Sequence, residues 1–172
     1  DVIVFLCAVI AGRVVPMFTR NATGAPRIEA VPALEVFCIL ALIVMTLADV
    51  VAPASRVVAM AAGIAGIAAI ARAVRWGTRH TLQHPLLWIL HAGYGWIPIG
   101  LFLRATPLLG VPVMGSLAIH ALTLGAIGAL TLGMMARVAL GHTGRALVPP
   151  KAMSAAFLFV TVAALVRVAG PA

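Results

Sequence analysis

Six apolar stretches follow one another along the chain, at residues 2–15, 31–51, 57–74, 86–103, 113–140 and 152–169, with hardly a charge inside them. We denote them A to F. A run of about 20 apolar residues is long enough to cross the ~30 Å hydrocarbon layer as a helix. The composition agrees, since 63% of the 172 residues are apolar and 9% are charged, against about 25% charged in an ordinary soluble domain. Too little polar surface remains to cover a body in water, so the bulk solvent is lipid. The expected fold is an all-α, polytopic transmembrane helix bundle with six spans in this segment.

Proline, glycine and charge fill the connections: Pro16 through Pro32, Ala52 to Ala54, Gly77 through Pro85, Thr106 through Pro112, and Gly141 through Pro150. No stretch is long enough for a second domain, and residues 1–172 read as one bundle. The net charge of +8 does not form a basic face and so excludes a nucleic-acid partner; it punctuates the spans, as membrane loops do. Nine of the twelve basic residues belong to alternate connections: Arg13, Arg20 and Arg27 between A and B, Arg72, Arg75 and Arg79 between C and D, Arg137, Arg145 and Lys151 between E and F. Arg56, Arg104 and Arg167 fall on the other side. By the positive-inside rule the first set is cytoplasmic, and the strict alternation supports six spans.

The first residue is Asp1, and the apolar run 2–12 yields ~17 Å of helix, short of a span. The start is therefore expected to be a cut edge in a longer chain truncated at both ends, and no basic region marks a signal peptide. Cys7 and Cys38 lie in apolar runs and are expected to be free thiols. On E, Ala121, Gly125, Ala129 and Gly133 recur every fourth residue, and on C Ala59, Gly63 and Ile67 run beside Ala62 and Gly66; small faces of this kind let helices approach closely. Gly93-Tyr94-Gly95 lies inside an apolar helix and is no nucleotide fingerprint, which requires a strand-to-helix turn.

Ionisable groups at membrane depth are costly and are candidates for function. His91 on D and His120 on E meet that test. Trp88, His91, Gly95 and Pro98 share a face of D at helical spacing, and an imidazole beside the gap at Gly95, flanked by aromatics, suits a planar cofactor; a histidine hydrogen-bonded to a neighbouring helix fits the same residues. D and E run in opposite directions, so the two histidines are expected ~15 Å apart along the membrane normal and cannot ligate one haem together. His80 and His84 stand four apart, but Pro85 spoils helical geometry there, and they read as loop histidines. Glu35 and Asp49 bracket the centre of B near the interfaces. The methionines, Met134 and Met135 among them, read as core filling. Arg13 with Arg20, and Arg137 with Arg145, each place two guanidinium groups eight positions or fewer apart at cytoplasmic helix ends, where they can grip an anionic group such as a haem propionate.

The segments 12–21 and 135–145, with His91-Ala92-Gly93-Tyr94 and the run from His120 to Gly128, resemble the NnrS family; the E segment running into Gly141-His142-Thr143-Gly144-Arg145 carries the most specific match. The resemblance covers essentially all of this chain but only part of a family member, which is about twice as long. It implies a bacterial inner-membrane protein containing haem and copper, linked to nitric oxide and to denitrification or nitrosative stress, with further helices from the rest of the chain as partners. Carried over, it raises His91, His120 and His142 as metal ligands, and Arg13, Arg20, Arg137 and Arg145 as supporting cations. The leading expectation is metal-bound capture or sensing of nitric oxide within the lipid bilayer. A metal-free transporter using His91, His120, Glu35 and Asp49 as an ion or proton path is the alternative, and an assembly partner of a respiratory complex is a third reading.

Overall fold

The computed structural model describes residues 1–24, 28, 30–110 and 115–170. Arg27, Pro112 and the start of stretch E at Val113 lie outside the described residues. Among the described residues all regular structure is helical, and six helices are long and apolar enough to cross a membrane. We number them α1 (Val2–Thr23), α2 (Pro32–Val51), α3 (Arg56–Ala73), α4 (Pro85–Ala105), α5 (Gly115–His142) and α6 (Lys151–Ala169). Short 3₁₀ turns, Val74–Trp76 and Thr78–Thr81, join α3 to α4.

The first helix corrects the expectation of a short run. It does not stop at Val15 but continues through Pro16 to Thr23, and Gly24 at φ 64 closes it by donating its N–H to the Arg20 carbonyl. At 1.5 Å per residue, 22 residues make ~33 Å, enough to span. Pro16 forfeits only the bond to the Gly12 carbonyl, and in lipid the other backbone groups have no partner except the helix itself.

Helices α4 and α5 pack antiparallel, and glycines set the register. A Cβ on Gly93 would stand 2.9 Å from the Leu130 amide nitrogen, one on Gly100 2.5 Å from the Leu122 side chain, one on Gly125 2.5 Å from the Trp96 indole, and one on Gly133 2.8 Å from Ile89. The small stripe of α5 is thus the face that α4 covers. That stripe repeats every four residues, whereas an α-helix turns every 3.6, so a regular helix would carry it away from α4. Residues Ala121–Gly128 instead form a π-helix, whose wider turn keeps Ala121, Leu122, Gly125, Ala126, Ala129 and Leu130 buried on one side. On α3 the sequence placed one small face slightly out of true. Ala62, Ala65, Gly66 and Ala69 are buried, while Ile67 faces outward.

The two ends of the bundle are distinguished by polar ties. Arg104, at the end of α4, binds Asp49 at the end of α2 at 2.7 Å and also the Asp1 carboxylate at the start of α1. At the opposite end Thr19 of α1, Thr78 of the 3₁₀ turn and His91 of α4 meet. Spans therefore alternate in direction, and the α1–α2, α3–α4 and α5–α6 connections share one side.

A buried guanidinium and a held imidazole between α1, α3 and α4

Arg72 belongs to the last turn of α3 and is 2% exposed. It is not the loop cation that the charge count took it for. Its Nη1 donates to Glu35 Oε2 at 2.9 Å, its Nη2 to the Ala8 carbonyl at 2.7 Å, and its Nε and Nη2 to the Tyr94 hydroxyl at 3.0 and 2.7 Å. The guanidinium lies 5.4 Å from the Trp76 ring centre and 5.2 Å from that of Tyr94, within range of a cation–π contact. Lipid offers a charge no solvation, so a guanidinium here requires a counter-charge and acceptors from several helices at once. The geometry depends on Gly12, where a Cβ would stand 2.4 Å from Nη1 and 2.7 Å from Cζ.

His91 sits one turn before Tyr94 on α4 and is 8% exposed. Its Nε2 is 2.8 Å from Thr19 Oγ1 and its Nδ1 is 3.0 Å from Thr78 Oγ1. Thr19 donates its own hydroxyl proton to the Val15 carbonyl at 2.8 Å, so its oxygen must accept, and Nε2 carries the hydrogen. In the neutral ring Nδ1 then accepts from Thr78. Trp76 stands edge-on to the imidazole at 6.2 Å between ring centres and packs on Tyr94 at 4.3 Å. Among the described residues the Trp76 indole N–H is a buried donor without an acceptor.

Two cavities flank this cluster. One, of about 430 Å³, lies against α1 and α2 and is lined by Gly12, Arg13, Pro16, Arg20 and Glu35 among others. The second, of about 350 Å³, lies against α3 and α4, with His91, Thr78, Trp76, Tyr94, Gly95 and Phe102 in its wall. They share no lining residue. His91, Gly95 and Pro98 do share one cavity, but Trp88 does not join them. Its ring stands edge-on to Phe157 of α6 at 6.3 Å, because helical side chains lean toward the N-terminus and this one meets the neighbouring helix.

The remaining candidates are dispersed. His120 is half-buried and lines a cavity of about 760 Å³ with Ser116, Leu124, Val166 and Arg167 at the opposite end of the bundle. Through the α4–α5 register His91 is level with residues 131–132 and His120 with residues 100–101, a separation of ~15 Å along the helix axes. His142 and Arg145 are exposed at the end of α5, and Arg137 lies 3.9 Å from the Phe18 ring centre of α1. Arg13 and Arg20 are exposed and face one cavity. His80 and His84 are exposed around the 3₁₀ turn before α4, in keeping with loop histidines, and both cysteines are free. Among the described residues no three His, Cys, Asp or Glu side chains gather closely enough to hold a metal ion.

Sequence reasoning missed Arg72, Tyr94, Thr19 and Thr78 as members of one network. A signal existed for the first: Arg72 lies inside stretch C, not beyond it, and one of only four acidic residues, Glu35, lies inside stretch B. Opposite charges within lipid-facing stretches seek each other. The threonines carried no such mark, since Thr78 lies in a connection and a lone hydroxyl on a helix, such as that of Thr19, commonly bonds its own helix.

Compared with known proteins, the chain matches the family described as NnrS protein over residues 1–172. No curated protein and no solved structure matches it.

Proposed function

The chain belongs to the NnrS family and is a membrane protein of the nitric-oxide response; from that premise we propose that it captures or senses nitric oxide at haem, in the inner membrane of a bacterium, with His91 as the residue that holds the haem. The observation that carries the reading is the state of the His91 ring. A metal-bound histidine characteristically donates its second ring N–H to an oriented acceptor, and Thr19 already accepts from Nε2 in this manner. Among the described residues the lone pair on Nδ1 faces the hydroxyl of Thr78, an exposed residue at the wall of the α3–α4 cavity. Rotation of that hydroxyl frees the nitrogen without disturbing the helix. Gly95, where a Cβ would meet nothing within 4 Å, leaves room beside it, and the rings of Trp76, Tyr94 and Phe102 line the same cavity. Haem held through a single histidine supplies an iron position open to a diatomic gas.

Copper does not find its donors among the residues described, because no three ligating side chains converge. On family membership we propose copper as a second metal, with His120 and His142 as its donors. Arg137 and Arg145 are proposed as supporting cations on the same basis.

Full-length protein from haem-replete cells tests the reading. A Soret band that shifts on adding nitric oxide, and that is lost in His91→Ala, is the expected result. A colourless preparation would overturn it and favour metal-free transport. His120→Ala should leave a haem spectrum distinct from that of His91→Ala, as two positions ~15 Å apart require. Identical residual spectra with the same single haem lost would contradict that separation.

A further inference from the structure

We infer that the cavity between α1 and α2 is an oxyanion site, in which Arg13 and Arg20 hold a phosphate or carboxylate group. Both arginines line this cavity and stand seven residues apart on one face of α1, about 10 Å along its axis. Among the described residues neither has an ion-pair partner. The carboxylate that shares the cavity, Glu35, is committed to Arg72 at 2.9 Å. That pair cancels internally, so among the described residues of this wall two positive charges remain unbalanced.

Arg13 sits ten residues before the end of α1, ~15 Å from that end, where an uncompensated guanidinium is costly. The rest of the wall includes Val9, Pro16, Met17, Val36 and Ile39. Apolar walls weaken screening and strengthen attraction for an anion. Guanidinium groups offer paired N–H donors whose geometry matches phosphate and carboxylate oxygens, and about 430 Å³ accommodates a group of headgroup size. The site shares no lining residue with the His91 cavity, so it does not depend on haem at His91.

The oxyanion has two possible sources, a phospholipid headgroup or a soluble anion, and footprinting of the unmodified full-length protein separates them. Phenylglyoxal labelling of arginines, read by peptide mass spectrometry, is followed in delipidated detergent with inorganic phosphate against chloride at matched ionic strength. It is repeated in bilayers of phosphatidylcholine with and without phosphatidylglycerol. Protection of Arg13 and Arg20 by phosphate, about tenfold in labelling rate and absent at the exposed Arg56 and Arg79, identifies a soluble oxyanion. Protection that appears only with phosphatidylglycerol identifies a lipid headgroup. Either result supports the site, and Arg13→Gln with Arg20→Gln should weaken the same binding about tenfold or more. Protection by neither probe, or equal protection at Arg56, overturns it. A missing Soret band leaves this result untouched, so the two readings fail separately.

Discussion

Replacing Gly12 with Ala tests whether the Arg72 network is a determinant of the bundle. The new Cβ would lie 2.4 Å from Nη1, 2.7 Å from Cζ and 3.0 Å from Nη2. An arginine tip is ordinarily able to swing away from such a clash. Here four hydrogen bonds of 2.7–3.0 Å, to Glu35, Ala8 and twice to Tyr94, hold it. Restoring ordinary contact requires a shift of about 1 Å, which stretches these bonds past useful length. Intramembrane hydrogen bonds average about 0.6 kcal/mol each and reach about 1.7, so weakening four costs ~2–3 kcal/mol. Gly95→Ala serves as the control, because nothing lies within 4 Å of its added methyl and both variants gain the same helix propensity, about 1 kcal/mol. The difference between the two variants therefore isolates the clash. Reversible unfolding in mixed micelles, followed by circular dichroism, should show Gly12→Ala less stable than Gly95→Ala by ~2–3 kcal/mol. In an Arg72→Leu background the Gly12 penalty should disappear. Equal unfolding midpoints for the two glycine variants, or an undiminished penalty without Arg72, would refute the account.

Three further outcomes are expected. Cysteines introduced at Arg20 and Arg56 should be labelled from opposite sides of the membrane, since those residues lie at opposite ends of the bundle; labelling from one side would break the six-span topology. Gly133→Leu should destabilise the bundle by about 3 kcal/mol, against about 1 for Leu124→Ala, because a side chain at 133 meets Ile89 and Leu90 within 3 Å while Leu124 is only half-buried; equal losses would remove the close contact as their cause. Thr19→Val should lower haem affinity about tenfold or more in an absorbance titration, whereas Thr78→Val should not, because Thr78 competes for the ligating nitrogen; equal effects would contradict the assignment of the Nε2 hydrogen.

Six spans, their alternation and the small face on α5 were legible in the residues because lipid imposes a requirement that acts locally. Each span must satisfy its own backbone and show apolar side chains outward, whatever its neighbours do. That is why stretches B to F mark helices within a few residues of the structure. The rule fails where a break in the pattern is absorbed by the helix: Arg13 and Pro16 interrupt stretch A as a sequence, but α1 passes through both. Position along a helix also carried far, since the depth of His91 relative to His120 follows from rise alone. What a polar side chain does at its depth is decided by the helix that packs beside it. Arg72 counts as a loop cation until Glu35, Tyr94 and Ala8 arrive from three other helices, and Gly12 leaves the room for it. His91 is an imidazole with two equivalent nitrogens until Thr19, itself tied to Val15, assigns the hydrogen to one of them. Spacing of 3.6 residues places side chains on a face of one helix, but hydrogen bonds between helices depend on rotation, register and tilt, and these emerge only when the bundle is packed.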